Sequence, residues 1–426
     1  MARKFDIIVF GATGVTGRYA VEQMYKASKE EGLSFAVAGR NESKLIAALE
    51  EVAGWMKIDA GVFSRETPKI IADVSDSESL HEMAKSARVI VNTVGPYRFY
   101  GEPVVSACVN EGTNHVDVSG EPWFIESMQL KYHKAAQAKK IYLVSACGFD
   151  SIPAEFAVNF AKENFRGRLN SVETFVSFKN PKGGHVNVGT WNSIIHGVAN
   201  WGTLAPLRKE VSEELFTKKT EKPKFKLPIR RLASTTDVCS GYIFPFYGSD
   251  KSVIMKSEMF RRENSVEDYK PVQIQTYLRL PNFVAVIGLT IIGLFLMTFA
   301  KFASGRKLLS KYPAIFSFGL FRDEMPKREQ LEEKSMNIVA LGKGWHTDDD
   351  ETLPPTKEIV VEVDSMDPGY IATSIMLVQS AVCILKDNIS MPLGGGCISP
   401  GYAFEKTTLR NRLDQRGIKF SVKRQS

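Results

Sequence analysis

The stretch Phe5–Gly17, FDIIVFGATGVTG, decides the fold. Its apolar, β-branched beginning is typical of a buried strand, and it runs directly into a turn with glycines at positions 11, 14 and 17. Such a turn uses one glycine for its tight bend, a second for the close approach of a pyrophosphate and a third for close helix packing, and it places the phosphates at a helix N-terminus. The alternative is a purely structural turn. The predicted dinucleotide site comprises Gly11, Ala12, Thr13, Gly14, Val15, Thr16 and Gly17.

Beyond this turn, the first 150 residues alternate short apolar runs with helical patterns, as βαβ units do. Strands are predicted at residues 5–10, 34–39, 69–74, 88–94, 115–119 and 141–146. Pro103 is expected in the first turn of a helix that Gly112 ends. The fold class is therefore α/β, with an N-terminal Rossmann-type doubly wound parallel sheet over residues 1–150. Residues 151–365 are assigned to a second, α+β domain that carries a hydrophobic insert.

The residue that closes the second strand of such a sheet distinguishes NAD from NADP, because an acidic side chain there holds the ribose hydroxyls and repels a 2′-phosphate. Arg40 occupies this position in AGRNESK, and its guanidinium suits a phosphate, with Lys44 one turn later as a weaker contributor. We predict NADP, with NAD less favoured; the alternative is that Arg40 is a solvated surface residue. Asp73, at the end of the third strand, is expected to border the adenine. The end of the fourth strand, expected along the pyrophosphate and the nicotinamide ribose, contributes Asn92, Gly95 and Pro96.

Composition excludes several classes of protein. The chain has 426 residues, enough for two or three domains, and its net charge of +7 is spread along the sequence, so no basic stripe indicates nucleic-acid binding. The five cysteines form no CxxC pair, which argues against a disulfide framework or a zinc site, and we predict no metal. The start, MARKFDIIVF, lacks the long apolar core of a secretory signal.

One segment is unusual for a nucleotide-binding protein. Residues 280–300 carry no formal charge and, as a helix, would extend roughly 30 Å, enough to span a bilayer core. An aromatic segment, YPAIFSFGLF at 312–321, follows. We predict that 280–321 inserts into a lipid monolayer or membrane as a re-entrant helical hairpin, the alternative being a helix buried in a domain or homodimer core. The basic residues that flank the run, and suit anionic lipid headgroups, are Arg279, Lys301, Arg306, Lys307 and Lys311.

Several motifs together resemble the saccharopine dehydrogenase-like oxidoreductase family: GATGVTG, VAGRNESKL, VGPYRFYGEPVVSAC, DVSGEPWFI, CGFDSIPAEF and GYIATSIMLVQSAVCIL with ISPGYAF. The resemblance implies an NAD(P)-dependent oxidoreductase related to saccharopine reductases and to the trans-acting enoyl reductases of bacterial glycolipid synthesis. It also implies that residues 366–426 pack back on the nucleotide-binding domain and, from the animal members, an association with lipid droplets and membranes. In true saccharopine reductases the region that corresponds to GFDSIP, residues 148–153, is more similar to GxDPG. This chain has Ser151 and Ile152 before the proline, and this departure argues against an amino-acid substrate.

Hydride transfer is carried out by the nicotinamide, so the chain has to supply orientation and a proton donor or acceptor. Tyr97 is the leading proton donor, with packing under the cofactor as an equal alternative. Asp150 is predicted to orient the substrate, unless it caps the helix that follows it. Asp117 and Glu121 form a conceivable carboxylate pair, although a polar strand end followed by a helix N-terminus is the preferred interpretation. His185 is a further candidate from the second domain.

The sequence YKASK, Tyr25–Lys29, matches the catalytic YxxxK pair of short-chain dehydrogenases. It falls on the first predicted helix, remote from the carboxyl ends of the strands, where ligands of open α/β sheets bind. We interpret the match as chance.

Three functions remain. The preferred one is an NADP-dependent oxidoreductase of lipid or glycolipid metabolism that acts on a lipid-linked or hydrophobic substrate on the cytoplasmic face of a lipid droplet or membrane. The second is a cofactor-binding scaffold on lipid droplets without turnover, because no proton donor stands out in the sequence. The third, saccharopine-type amino-acid chemistry, requires several arginines to clamp carboxylates, and Arg98 is the only one near the expected site.

Overall fold

Residues 3–219, 222–266 and 269–425 are described by a computed structural model, in which the chain divides into two units. Unit 1 combines the chain up to Phe149 with Gly369–Arg416, and unit 2 combines Asp150–Pro368 with the chain from Gly417 onward. The C-terminal segment 366–426 is therefore divided, because its helices belong to unit 1 and its last strand belongs to unit 2.

Strands occur at all six positions that the sequence predicted for the first domain. The strands of the described residues are β1 (Phe5–Phe10), β2 (Phe35–Gly39), β3 (Lys69–Ile71), β4 (Ala87–Asn92), β5 (Asn114–Asp117), β6 (Tyr142–Val144), β7 (Arg168–Lys179), β8 (Val186–Asn187), β9 (Tyr242–Pro245), β10 (Gln273–Leu280), β11 (Phe321–Arg322), β12 (Ser335–Trp345), β13 (Lys357–Met366), β14 (Gly396–Cys397) and β15 (Lys419–Gln425).

Helices alternate with the strands of unit 1 and occur more irregularly in unit 2. The α-helices of the same described ranges are α1 (Val15–Glu31), α2 (Glu42–Met56), α3 (Ala60–Glu66), α4 (Ser77–Ser86), α5 (Tyr97–Glu111), α6 (Pro122–Lys139), α7 (Ile152–Asn164), α8 (Val188–Ala199), α9 (Leu204–Leu215), α10 (Asp250–Asn264), α11 (Phe283–Phe299), α12 (Ala303–Lys311), α13 (Pro313–Phe316), α14 (Arg328–Glu332), α15 (Ile371–Lys386), α16 (Pro400–Ala403) and α17 (Leu409–Gln415).

The strands of unit 1 form one parallel sheet, seven-stranded within the described residues, in the order β3-β2-β1-β4-β5-β6-β14. Its first six strands follow the order of a doubly wound dinucleotide-binding fold, which confirms the predicted fold class. The strand order reverses between β1 and β4, where Phe10 pairs with Asn92. Ligands of such sheets bind outside the carboxyl ends of the strands at this switch point, and the glycine turn follows β1 there.

Unit 2 contains a mixed sheet in the order β15-β13-β12-β7-β10-β9. Strands β7 and β10 are parallel, and the other neighbours are antiparallel. Phe175 and Tyr277 are directly paired across β7 and β10, and their rings stack with centroids 5.6 Å apart. Together with Ile243, Val339 and Leu341 they form an apolar core on this sheet.

The uncharged segment forms α11, which is shorter than the sequence suggested. Asn282 caps its start, because its side-chain oxygen accepts a hydrogen bond from the Ala285 N–H at 2.9 Å. One face of α11 packs into a core of unit 2 around Trp191, whose indole N–H donates to the Leu309 carbonyl at 2.9 Å. The buried residues of this core are Trp191, Ile195, Ile292, Leu296, Ala300 and Leu309. The two predicted alternatives for this segment were insertion into lipid and burial in a protein core. Burial in a core is observed for this face of α11 only.

The opposite face of α11 is exposed and largely apolar, with two exposed threonines at positions 290 and 298. Its exposed large apolar side chains are Val284 at 75%, Leu294 at 61%, Phe283 at 56%, Met297 at 54% and Ile287 at 47%. Exposed apolar side chains that follow one another along a helix are characteristic of an interaction surface. We call these five residues the exposed α11 face.

The second arm of the predicted hairpin is not formed as a helix of similar length. Residues 312–321 contain the single turn of α13, and the chain then pairs β11 in parallel with β8. The ring of Phe316 instead packs against Phe295 and Phe299, with centroids 5.4 and 5.7 Å away. In the ranges that the structure describes, no helix combines the length and the apolarity needed to cross a membrane.

Candidate functional site

The turn between β1 and α1 has the geometry that a pyrophosphate requires. Gly11 has a φ of 87°, and a Cβ there would lie 2.7 Å from Thr93 Oγ1. A Cβ at Gly17 would overlap the carbonyl oxygen of Gly11, which also accepts a hydrogen bond from the Gly14 N–H at 3.0 Å. Helix α1 then starts at Val15 without a side-chain cap, so its first N–H groups are suitable for an anion. We call this turn the glycine cradle, residues 11–17.

Arg40 and Asp73 lie together beside the carboxyl ends of β2 and β3. Hydrogen bonds from Ser75 and the nearby Arg40 guanidinium hold the pKa of the Asp73 carboxyl below its ordinary value. Asn41 caps α2 by accepting a hydrogen bond from the Lys44 N–H at 2.9 Å, which fixes the backbone just after Arg40. The Arg40 and Lys44 side chains are both exposed. The residues predicted for the adenosine end of the cofactor are therefore brought to one edge of the sheet.

The loop after β4 borders the glycine cradle, and Asn92 shapes it from below. The Asn92 side-chain oxygen accepts a hydrogen bond from the Val94 N–H at 3.0 Å, and its amide nitrogen lies 3.3 Å from His115 Nε2. Burial lowers the pKa of His115 to about 3, so the imidazole is neutral and Nε2 can accept from this amide. Asn92 thus organises the loop, whereas Gly95 and Pro96 remain the candidates for direct contact with the cofactor.

Tyr97 is buried, and its hydroxyl is engaged inside unit 1. It donates to the Asn92 carbonyl at 3.0 Å and accepts from the Val118 N–H at 3.4 Å. The Tyr97 ring lies 5.6 Å from the ring of Phe124, and burial raises the pKa of the phenol well above its ordinary value. A proton donor has to reach its substrate. The geometry therefore favours the packing alternative for Tyr97.

Glu121 determines where α5 begins. Its carboxylate oxygens accept hydrogen bonds from the Tyr97 and Arg98 N–H groups at 3.0 and 3.2 Å. These N–H groups belong to the first turn of a helix, where backbone donors lack partners within the helix. Helix α5 therefore starts at Tyr97 and contains Pro103 in its interior, in contrast to the prediction that Pro103 lies in the first turn. Gly112 ends the helix, as predicted, with a φ of 65°.

Asp117, at the end of β5, is fully buried and hydrogen-bonded. It accepts hydrogen bonds from the Ser119 N–H at 2.9 Å, the Ser145 hydroxyl at 2.8 Å and the Ala146 N–H at 3.1 Å. Burial raises the pKa of Asp117 to about 6 despite these bonds, and the charge of Glu121 acts in the same direction. Both carboxylates are thus occupied with backbone groups, which favours the structural interpretation of this pair.

The raised pKa predicts that Asp117 makes the protein less stable as the pH rises. The folded carboxyl titrates near 6 and the unfolded one near 3.8, so the carboxyl binds more protons in the folded state between these values, and its contribution to the free energy of unfolding falls from about pH 4 to about pH 6. The contribution is at most about 3 kcal/mol. His115, whose pKa is lowered to about 3, contributes stability that rises over the same pH range, so the prediction concerns the difference between two proteins. The free energy of unfolding of Asp117→Asn, which cannot ionise, is expected to rise relative to that of the wild type from about pH 4 to about pH 6 in urea-unfolding experiments. Parallel pH profiles for the two proteins would contradict the assignment.

Asp150 lies in unit 2, and its carboxylate caps α10. It accepts hydrogen bonds from the Ser249 and Asp250 N–H groups at 2.8 and 3.2 Å. Burial raises the pKa of Asp150 to about 6. The predicted cap of α7, the helix that directly follows Asp150, is therefore not formed, because the carboxylate caps α10 instead. The other candidate in unit 2, His185, has its Nε2 3.1 Å from the Glu324 carbonyl oxygen.

The YKASK sequence lies on α1, as the sequence indicated. Tyr25 packs edge-on against Phe63, with ring centroids 5.1 Å apart, and the Lys29 ammonium lies 5.3 Å from the Tyr25 centroid. Among the described residues, no three His, Cys, Asp or Glu side chains are grouped so that they could hold a metal ion.

Two features of the site did not emerge from the sequence. One is the contact between Asn92 and His115 beneath the loop after β4. The other is the stacking of Arg98 on Trp123, in which the guanidinium carbon lies 4.3 Å from the centroid of the indole ring. The available signal was positional: β4 and β5 are neighbours in this strand order, so residues that follow them are brought together.

NADP fits these residues. A Cβ at either Gly11 or Gly17 would collide with neighbouring protein atoms, so the turn requires glycine at both positions, and Arg40 is an exposed cation at the position that selects for a 2′-phosphate. Residues 7–144 match the family model described as the saccharopine dehydrogenase NADP binding domain. This match confirms the predicted cofactor, NADP.

Relatives that match nearly the whole chain belong to the same family as the matched NADP binding domain. The chain is 40% identical over 426 residues to the saccharopine dehydrogenase-like oxidoreductase of Rattus norvegicus, covering 99% of this chain and 97% of the relative. It is 38% identical over 434 residues to the Caenorhabditis elegans lipid droplet localized protein, covering 98% of each. Among solved structures, apo saccharopine dehydrogenase (L-Glu forming) from Saccharomyces cerevisiae shares the fold with a TM-score of 0.51 at 14% identity, over 99% of this chain and 100% of that one. The glycine cradle, the strand order and these relatives together establish that the chain belongs to the saccharopine dehydrogenase-like oxidoreductase family.

Proposed function

We propose that this protein is an NADP-dependent oxidoreductase that acts on a lipid-linked or otherwise hydrophobic substrate at the cytoplasmic face of a lipid droplet or membrane. The single observation that carries the redox part is the glycine cradle at the switch point of the sheet, with Arg40 exposed at the next strand end. The membership of the chain in an oxidoreductase family supports the use of this cofactor in catalysis.

In this proposal, NADP supplies or accepts the hydride at its nicotinamide ring. The chain binds and orients it: the N–H groups that begin α1 hold the pyrophosphate, and Arg40, assisted by Lys44, pairs with the 2′-phosphate. The loop with Gly95 and Pro96 lies along the nicotinamide ribose. Tyr97 supports that loop through its hydrogen bond to the Asn92 carbonyl, and it acts as a proton donor only when its hydroxyl leaves this carbonyl.

The proposed lipid surface rests on the exposed α11 face. Five apolar side chains lie exposed along one helix, and exposed lysines follow it at Lys301, Lys307 and Lys311. An apolar face next to basic residues suits a monolayer that contains anionic lipids, in which the helix lies parallel to the surface. The name of the C. elegans relative, lipid droplet localized protein, supports this location.

A second function, a cofactor-binding scaffold without turnover, is favoured by one observation. The hydroxyl of Tyr97, the leading proton donor in the sequence, is buried and hydrogen-bonded to backbone groups. In that case the protein binds NADPH, and no lipid serves as a substrate for oxidation of the cofactor. A survey of NADPH oxidation in the presence of lipid extracts distinguishes the two functions.

Arg40→Glu is the test of the proposed cofactor site. The substitution removes the cation that pairs with the 2′-phosphate and introduces a carboxylate that repels it, so the Kd for NADPH is expected to rise roughly 10- to 100-fold. The same carboxylate suits the ribose hydroxyls of NADH, so the preference between the two nucleotides is expected to reverse. Titrations followed by nucleotide fluorescence measure both constants.

The matched control is Arg65→Glu, which makes the same charge change at an exposed position on α3. Helix α3 precedes β3 in the chain, and it therefore lies away from the carboxyl ends of the strands. Nucleotide affinity is expected to stay within about twofold of the wild type in this variant, since exposed charges at a distance are screened. An unchanged preference for NADPH in Arg40→Glu would overturn the assignment of Arg40.

A further inference from the structure

An arginine and a tryptophan form a stacked pair at the carboxyl edge of the unit 1 sheet. The Arg98 guanidinium carbon lies 4.3 Å from the Trp123 ring centroid. Arg98 belongs to the first turn of α5, after β4, and Trp123 to the first turn of α6, after β5. Because β4 and β5 are parallel neighbours, the pair lies at the edge where open α/β sheets bind their ligands.

The two helix starts that carry this pair are fixed to each other. The Glu121 carboxylate, which directly precedes α6, accepts hydrogen bonds from the Tyr97 and Arg98 N–H groups of α5. The Tyr97 ring packs on Phe124, and Gly101 lies so close to Phe124 that a Cβ at this glycine would overlap the ring. The backbone under Arg98 is therefore set before any ligand arrives, which reduces the entropy lost on binding.

The Arg98 side chain is half-buried, and within the described residues its guanidinium has no protein hydrogen-bond acceptor. A guanidinium carries five N–H donors in a planar fork, and stacking on an indole uses its face and leaves the edge for an acceptor. Burial lowers the pKa of Arg98, and the nearby Glu121 carboxylate raises it. An arginine nevertheless stays protonated in proteins. The pair thus offers a positioned cation with donors for an oxyanion.

Two exposed aromatic side chains follow Arg98 in the first turn of α5. Phe99 and Tyr100, the next two residues of α5, are 52% and 42% exposed, and their rings lie 6.3 Å apart in an edge-on arrangement. Large rings at a binding edge supply apolar contact area at little entropic cost. A ligand that suits this surface has an anionic group attached to an apolar chain or ring.

We propose that Arg98, held over Trp123, binds an oxyanion, a carboxylate or a phosphate, and that Phe99 and Tyr100 contact the apolar part of the same molecule. This inference rests on the proposed function for its setting, because the loop after β4 is the part of the site assigned to the nicotinamide end of NADP. We assign the oxyanion to the substrate. A phosphate of the cofactor is the other source of the same chemistry, and the experiment below distinguishes the two. A single arginine suits one anionic group on an apolar molecule, which matches a fatty-acid or phospholipid-like substrate.

The test uses the full-length protein and three probes of equal chain length: decanoate, decyl phosphate and decanol. Their Kd values are measured by calorimetry with and without saturating NADPH. Arg98→Gln is expected to weaken both anionic probes by about tenfold or more and to leave decanol unchanged. Arg98→Lys, which keeps the charge but lacks the fork, is expected to fall between the two. The matched control, Arg65→Gln on α3, is expected to bind as the wild type does.

The Kd for NADPH separates the two sources of the oxyanion. An unchanged NADPH affinity in Arg98→Gln supports the substrate assignment, whereas a weakened one overturns it and assigns Arg98 to a cofactor phosphate. If wild type and Arg98→Gln have the same Kd for decanoate, the same for decyl phosphate and the same for NADPH, the proposed oxyanion site itself is overturned. If the wild type fails to bind NADPH while its anion binding still depends on Arg98, the proposed function fails and the oxyanion site stands.

Discussion

Replacement of Gly17 by alanine is expected to abolish NADPH binding at concentrations that saturate the wild type. The new Cβ would overlap the Gly11 carbonyl oxygen, which is a backbone atom that also accepts the Gly14 hydrogen bond. The carbonyl cannot move without opening the turn that receives the pyrophosphate. Because phosphate contacts supply much of the affinity for the cofactor, we expect the Kd to rise at least about 100-fold, which corresponds to about 2.7 kcal/mol. Fluorescence titration with NADPH measures this change.

Gly54→Ala is the matched control for this experiment. Gly54 lies within α2, and no atom outside its own helix turn comes within 4 Å of a Cβ placed there. Alanine is the better helix former by about 1 kcal/mol, so this variant is expected to be slightly more stable and to bind NADPH normally. Normal NADPH binding by Gly17→Ala would show that the glycine cradle is only a structural turn.

Replacement of four of the five residues of the exposed α11 face is expected to release the protein from artificial lipid droplets. The variant replaces Val284, Ile287, Leu294 and Met297 with glutamine, a residue that keeps the helix propensity. Each partly exposed side chain contributes about 1 kcal/mol when it enters the lipid, so the four changes are expected to reduce partitioning roughly 1,000-fold. Flotation with triolein droplets coated by phosphatidylcholine and phosphatidylserine measures the bound fraction. Raised salt is expected to weaken binding of the wild type through its lysines.

The control variant replaces four exposed apolar residues that lie elsewhere with glutamine: Ile71, Met255, Ile389 and Leu393. Its flotation is expected to match that of the wild type, since none of these residues belongs to α11. If the α11 variant still floats, the face does not bind lipid. Light scattering then measures the oligomeric state of the same variant. A change from dimer to monomer would assign the exposed α11 face to a homodimer interface.

Local patterns predicted most of unit 1. The glycine spacing, the strand at Phe5–Phe10 and the arginine after β2 are features of short segments, so the sequence alone placed them correctly. The start of α5 was predicted wrongly because the side chain that fixes it, Glu121, comes from the loop after a different strand. A proline is a reliable sign of a first helical turn only when no distant residue caps an earlier one.

The catalytic candidates were harder to predict than the cofactor site. The hydroxyl of Tyr97 meets Val118, and the carboxylate of Asp150 meets Ser249, so the roles of both depend on contacts between distant segments. Helix α11 posed another difficulty, since every position from Phe283 to Phe299 is uncharged and hydrophobic periodicity cannot identify the buried face. Only the packing of Trp191 against one side separates that face from the exposed one.

The discontinuous make-up of unit 1 has a consequence for the way the protein is made. Helix α15 packs on α1, β4 and β5, and its Ser374 hydroxyl donates to the Thr16 carbonyl inside the glycine cradle at 3.3 Å. The ribosome produces α15 only after it has finished most of unit 2, although domains generally fold in the order of their synthesis. Until α15 is synthesised, the part of the nascent sheet that this helix covers, on β4 and β5, therefore stays exposed. Chaperones can bind this apolar surface during that interval.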